Sequence, residues 1–275
     1  MAGEPEIRSV GADEIDACFR LSSLIGWNQS EADWRWMLQA GRVYGIDAED
    51  RLIATALTLP YGGRFAWISM VLVDPAFRGR GLATHLMQRA VADLEAEGLV
   101  PLLDATPAGR EVYRRIGFRD TWTMRRWRVP CGTATGTTRP IEERDWPTVE
   151  TLDRAAFGAD RSDLLRHLAG RLPVAARVSD SGFCLGREGR TADQIGPVVA
   201  ADEAAAIALI GAALAALPPG RAAYIDLLDR CGMVAGWLER LGAAVERPYT
   251  RMVYGRDGGF DDPGLLIAAA GPELG

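Results

Sequence analysis

The sequence predicts an α/β chain that folds twice on one plan. Three observations carry that expectation. Strand-length apolar runs alternate with helix-length amphipathic patterns along most of the 275 residues. Residues 130–138, Pro-Cys-Gly-Thr-Ala-Thr-Gly-Thr-Thr, are small, polar and aperiodic, and read as a linker near the midpoint. The order of elements is similar on its two sides, with Gly26 aligning on Gly158 and Gly117 on Gly242.

The first half opens with a short strand at residues 7–10. A helix from Asp13 to Ile25 follows, with Ile15, Cys18, Phe19, Ser22 and Ile25 on one face. Ser30, with Asp33 three positions on, suits the cap of a second helix that carries Trp34 and Met37. Strands are expected at 43–48, 52–59 and 65–73, with Asp50 and Tyr61-Gly62-Gly63 at the turns. A long helix should run from Leu82 to Glu97 and stop at Gly98. A strand near Leu102, a short helix around Tyr113 and a strand at 121–129 complete this half. In the second half, helices are expected at 146–157, 161–169, 203–217 (capped by Asp202) and 233–240. Strands are expected at 175–178, 182–189, 195–200 and 223–227, with a last strand region from Arg251 to Tyr254.

Composition narrows the function classes. At 48% hydrophobic and 25% charged the chain has the profile of a soluble globular protein. Residues 1–138 carry 16 Arg against 17 acids and residues 139–275 carry 15 against 20, so neither half is basic enough to imply nucleic acid. All 31 basic residues are arginine, which points to a GC-rich bacterial genome rather than to a function. No segment reads as a signal peptide, and the apolar stretch 204–217 is too short to cross a bilayer. A cytoplasmic location is therefore expected, with no membrane partner. Cys18, Cys131, Cys184 and Cys231 are widely spaced, and His85 and His167 are the only histidines. Buried small apolar cysteines are expected, and no metal site.

The most informative run is residues 73–84, Val-Asp-Pro-Ala-Phe-Arg-Gly-Arg-Gly-Leu-Ala-Thr. A strand ends at Val73, a turn rich in glycine and arginine follows, and a helix begins near Leu82. The N–H groups of residues 79–84 would converge at that helix start, with Arg78 and Arg80 adding permanent positive charge. This is an anion-binding turn, suited to a phosphate or diphosphate. It is not a Walker loop, because no Gly-Lys-Ser/Thr follows. Nor is it the Gly-x-Gly-x-x-Gly dinucleotide turn, because position 84 is Thr.

Arg78-x-x-Gly81-x-Ala83 after that strand resembles the acyl-coenzyme A loop of the GNAT (GCN5-related) N-acetyltransferases. Tyr113, four residues before Gly117-Phe118, resembles the closing helix of the same family. Gly26-Trp27-Asn28-Gln29, the run 104–109, the run 156–161 and the ending 271–275 are similar to a bacterial tandem-GNAT group. The resemblance implies an α/β (α+β) fold of two tandem GNAT-like domains, each a mixed, mostly antiparallel sheet flanked by helices. The implied division is a catalytic domain at 1–129, a linker at 130–138 and a degenerate GNAT-like domain at 139–275. The second half has Ala201-Asp202-Glu203-Ala204 where the loop should be, and Leu238 where the tyrosine should be.

The implied activity is transfer of an acetyl group from acetyl-CoA to an amine of a small molecule or protein. In that reading Arg78, Gly79, Arg80, Gly81, Leu82, Ala83 and Thr84 hold the diphosphate, and the main chain at Val71 and Val73 pairs with the pantetheine arm. Thr106 and Gly109 join the coenzyme site. Tyr113 is the candidate general acid, since a phenol is protonated at neutral pH and can serve a departing thiolate. Ser69 stands on the coenzyme strand where some relatives have a glutamate. Asp104 could act as a base, directly or through water, or could instead pair with an arginine; an ordered water could serve with no dedicated residue. Trp27, Asn28, Trp34, Tyr61 and Trp67 are candidates to wall the acceptor pocket, expected between the first two helices and the Tyr61 hairpin. A non-catalytic coenzyme A-binding sensor or scaffold is the alternative. A homodimer is compatible with either reading.

Overall fold

Helix caps and glycine stops place the elements largely where the sequence puts them. The computed structural model describes residues 5–132, 134–136 and 138–275. Thr133 and Thr137 of the expected linker lie outside the described residues. In the first half the strands are β1 (Arg8–Val10), β2 (Arg42–Ala48), β3 (Arg51–Tyr61), β4 (Phe65–Val73), β5 (Val100–Ala105) and β6 (Phe118–Pro130). The helices are α1 (Ile15–Leu24), α2 (Glu31–Ala40), α3 (Leu82–Ala96) and α4 (Pro107–Arg115). Ser30 and Asp33 cap α2 reciprocally, the Ser30 hydroxyl accepting from the Asp33 N–H at 3.3 Å and Asp33 accepting from the Ser30 N–H at 2.7 Å.

The second half contributes β7 (Arg139–Pro140), β8 (Arg177–Ser179), β9 (Gly182–Arg187), β10 (Asp193–Ala200), β11 (Ala222–Leu228), β12 (Ala244–Tyr254) and β13 (Leu266–Ala268). Its helices are α5 (Trp146–Phe157), α6 (Ser162–Arg171), α7 (Glu203–Ala216) and α8 (Gly232–Arg240). The strand expected at 175–178 is displaced. Pro173 opens a single 3-10 turn, Pro173–Ala175, and the strand starts only at Arg177. Among the described residues no helix is long and apolar enough to cross a membrane. The apolar helix α7 is instead buried along much of its length, from Ala206 to Leu214. All four cysteines are free and buried.

The halves do not each close their own sheet. The described residues form one sheet of thirteen strands in the order β1-β2-β3-β4-β5-β12-β6-β11-β13-β10-β9-β8-β7. Strand β12, from the second half, lies between β5 and β6 of the first, antiparallel to both. In turn β6 pairs with β11 over seven residues, Ala222↔Pro130 through Leu228↔Met124. The final strand of each half is thus exchanged across the linker. This exchange was absent from the sequence expectations.

One ion pair is built into the exchange. Arg251 on β12 is fully buried. It donates to both carboxylate oxygens of Asp104 on β5, each at 2.9 Å, and to Asp261 at 2.9 Å. Its guanidinium carbon lies 4.4 Å from the Trp67 ring and 4.1 Å from the Trp122 ring. Asp104→Ala should leave this buried cation partly uncompensated, lowering the unfolding free energy by about 3 kcal/mol. Urea unfolding followed by tryptophan fluorescence measures it. A loss under about 1 kcal/mol, the range of an exposed pair, would mean that Asp261 alone satisfies Arg251.

Candidate active site

Strand β4 starts parallel to β5 and then leaves it. They pair at Phe65↔Val100, Ala66↔Pro101 and Trp67↔Leu102, and no further. A bulge in β4 accompanies the divergence. Leu57↔Ser69 and Thr55↔Leu72 are partners, so Met70 and Val71 both face Ala56. Met70 adopts φ +48°, and its carbonyl accepts from the Thr55 hydroxyl at 2.8 Å. The bulge changes the phase of the strand. Phe65, Trp67, Met70 and Leu72 join the core shared with the second half, whereas Ala66, Ile68, Val71 and Val73 face the core under α3.

The turn after β4 is open and cationic. Asp74 accepts from the Ala76 N–H at 3.0 Å and from Arg51 at 2.5 Å, fixing the exit from the strand. Gly79 and Gly81 have φ +75° and +76°, and Gly81 is the N-cap of α3. No side chain caps this helix and no acid lies in its first turn. The N–H groups of Leu82, Ala83 and Thr84 therefore have no partner within their own helix. Arg78 donates to the Val73 carbonyl at 3.3 Å, and Arg80 stands 4.9 Å from the Phe77 ring.

Between the parted strands lies a partly open cleft of about 90 Å³. Ser69, Met70 and Val71 line one lip and Asp104 and Thr106 the other, with Tyr113 from α4. Thr106 caps α4 by accepting from the Gly109 N–H at 3.3 Å. A Cβ at Gly109 would come within 2.9 Å of the Tyr113 ring, so the glycine leaves room for the phenol. Burial pushes the Tyr113 hydroxyl up to about 12.

The acceptor side is built differently from the expectation. Trp27 and Asn28 do line the cleft. The Asn28 side chain staples the two halves, accepting from Thr191 N–H at 2.8 Å and donating to the Ala192 carbonyl at 2.9 Å. Trp34 and Trp67 are instead fully buried, and Tyr61 is 5% exposed. Trp34 donates to the Ser22 hydroxyl at 3.0 Å inside the core. Tyr61 and Trp67 hold residues 271–275, donating to the carbonyls of Leu274 at 2.9 Å and Pro272 at 3.0 Å. Ser69 donates to the Glu273 carbonyl at 3.0 Å, and Arg161 to that of Gly275 at 2.6 Å. Trp34, Tyr61 and Trp67 thus serve the core and residues 271–275, while the cleft that Trp27 and Asn28 line lies between the halves; a separate hollow is lined by Trp36, Tyr61 and Leu164. Asp104 belongs to the Arg251 pair. Burial raises its carboxyl above the ordinary value, against the pull of Arg251.

Sequence reasoning missed Gln29, Arg126, Tyr224, Glu246, Arg247, Tyr249 and Glu273, which complete the lining. Six of the seven are remote from the β4 turn in sequence. Gln29 and Glu273 stood within quoted runs, without an assigned role. Glu273 is 3% exposed and pairs with Arg187, which also meets Asp33 at 2.8 Å. Arg126 is matched by Asp226, at 2.9 and 2.8 Å.

The second half repeats the splay and plugs it. Strands β10 and β11 also pair over only three positions, Asp193↔Ala223 to Ile195↔Ile225. Beyond them β13 enters the gap, Ala268 pairing with Val198 on one side and Leu227 on the other. The start of α7 is capped by the Asp202 carboxylate, which accepts from the Ala205 N–H at 2.8 Å. Leu238 is fully buried. Among the described residues no cluster of His, Cys, Asp or Glu could hold a metal ion.

Comparison with known proteins agrees with this duplicated architecture. Residues 12–118 match the family model described as "Acetyltransferase (GNAT) family", and residues 149–265 match that of "Acetyltransferase (GNAT) domain". An uncharacterized N-acetyltransferase of Bacillus subtilis (strain 168), YitH, is 25% identical over 208 residues, 71% of this chain and 73% of its own. A Pyrococcus horikoshii structure, provisionally described as an acetyltransferase, superimposes with a TM-score of 0.81 at 18% identity, covering 100% of this chain and 97% of its own. A tandem GNAT protein from the clavulanic acid biosynthesis pathway does so at 0.66 and 14% identity, covering 93% and 100%.

The Tyr113 environment is testable by titration. The phenol's ordinary value is 10.0 and burial raises it to about 12 in the folded chain. In that window the unfolded chain has lost a proton that the folded chain keeps, so stability falls as pH rises. Tyr113→Phe should remove this component. The near-ultraviolet difference spectrum between wild type and variant should show no phenolate until pH approaches 12. Phenolate appearing near pH 10 would mean that the ring is solvated.

Proposed function

The chain belongs to the GNAT N-acetyltransferase family as a tandem member, and on that premise we propose that its first half moves an acetyl group from acetyl-CoA to a primary amine. The observation that carries the reading is the parting of β4 from β5 beside an uncapped, acid-free start of α3. Only this half keeps both features open. The N–H groups of Gly79, Arg80, Gly81, Leu82, Ala83 and Thr84, with Arg78 and Arg80, receive the diphosphate. The free edge of β4 at Val71 and Val73 receives the pantetheine arm, and a main-chain N–H near Val71 polarises the thioester carbonyl.

In the reaction the amine nitrogen bonds to the carbonyl carbon and the carbon–sulfur bond breaks. Tyr113 gives its phenolic proton to the departing thiolate. The proton leaving the amine passes to Glu273, directly or through water. Asp104 and Ser69 act on position, Asp104 through Arg251 and Ser69 through the Glu273 carbonyl. The acceptor enters between the halves, along Trp27 and Asn28.

Calorimetry with acetyl-CoA tests the binding step. One event per chain is expected, and none with Gly81→Glu, which places bulk and negative charge in the turn. Two events would mean that β13 leaves the second cleft free. No binding would overturn the reading. Tyr113→Phe should keep the affinity while lowering kcat on the order of a hundredfold. An unchanged kcat would remove Tyr113 from the acid role.

A further inference from the structure

The cleft is lined by polar groups of opposite demand. Gln29 is 2% exposed, and its side-chain carbonyl has no hydrogen-bond partner among the described residues. A buried acceptor of this kind costs about 1–3 kcal/mol unless a donor reaches it. Glu273, whose Oε1 is held by Arg187, brings its carboxylate to the same cleft. These groups favour an ammonium or amine.

Arg247 makes the contrary demand. It lines the cleft half-buried, with no carboxylate within ion-pair distance among the described residues. The neighbouring charges are otherwise engaged. Arg126 is held by Asp226, and Glu246 accepts from the Tyr224 hydroxyl at 3.0 Å with Arg128 at 3.9 Å. A partly desolvated guanidinium without an anion is matched best by a planar carboxylate. Its place matters as well. β12 pairs with β5 only as far as Thr250↔Ala105, and Arg247 is three residues further along. At strand spacing that is roughly 10 Å beyond the end of β5.

We propose that the acceptor is an amino acid. Its carboxylate is received by Arg247, and its amine by the Gln29 carbonyl and Glu273. Trp27, Tyr224 and Tyr249 provide the apolar walls between the two poles. The assignment rests on the transferase reading above and adds the acceptor's class.

The test is thiol release from acetyl-CoA with α- and ω-amino acids, the carboxamide of each, and the matching amines without a carboxyl group. Release with an amino acid is expected, at a KM on the order of tenfold below that of its carboxamide. Arg247→Gln should raise KM for the acid by a similar factor and KM for the carboxamide by much less, with acetyl-CoA affinity retained. Equal use of acid and carboxamide, a preference for amines without a carboxyl group, or an Arg247→Gln variant with the wild-type KM overturns the proposal. A protein that binds acetyl-CoA but releases thiol with no member of the set excludes the amino-acid class and leaves the transferase reading standing. Failure to bind acetyl-CoA removes both.

Discussion

Strand β12 in the middle of the sheet is the constraint on which the rest of the molecule depends. A strand from residues 244–254 supplies the backbone partners of both β5 and β6. Without it the first half would end in two unpaired edges, and the second lip of the cleft would lose its neighbour. Arg251 adds register to that pairing. A buried guanidinium is costly unless its partners are well placed, so the arrangement with Asp104, Asp261, Trp67 and Trp122 disfavours any slip of the strand. The net stability from such a pair is small. Its effect is to make one alignment of two distant segments much better than the others.

The same economy governs residues 266–275. Their first part is β13, which closes the second cleft by pairing with both of its lips. Their last part runs under β4, where Tyr61, Trp67, Ser69 and Arg161 hold four consecutive carbonyls. One ten-residue segment therefore fills the gap in one half and furnishes a carboxylate to the other. The asymmetry between the halves follows from this. Both halves splay after three residue pairs, but only the first keeps its gap. The helix start tells the same story: α3 begins with bare N–H groups, whereas a carboxylate already sits on α7.

Charge in the cleft is arranged by pairing. Arg126 is buried and neutralised by Asp226, so it shapes the wall without offering a net charge to a ligand. The half-buried Arg247 offers a charge, and Gln29 an unmatched acceptor. A site of this kind selects by the penalty it imposes on ligands that fail to meet its buried groups.

Local chemistry was legible in the sequence wherever a few adjacent residues decide it. The Ser30–Asp33 cap, the Gly79 and Gly81 turn and the Thr106 and Tyr113 helix need only near neighbours, and the structure forms each of them. The wide separation of the cysteines was enough to read them as buried and unpaired. Side-chain type alone could not say what Trp34, Tyr61 and Trp67 touch, because an aromatic patch in sequence serves a core as well as a pocket. The exchange of β6 and β12, the plug made by β13 and the arrival of Glu273 beside Ser69 join residues up to 204 positions apart. No periodicity records such distances. They are fixed by which backbone edges and buried charges remain unsatisfied once the local elements have formed. The sequence by itself therefore determined most elements and the glycine-rich turn before α3, while tertiary pairing alone decided which half keeps an open cleft and what lines it.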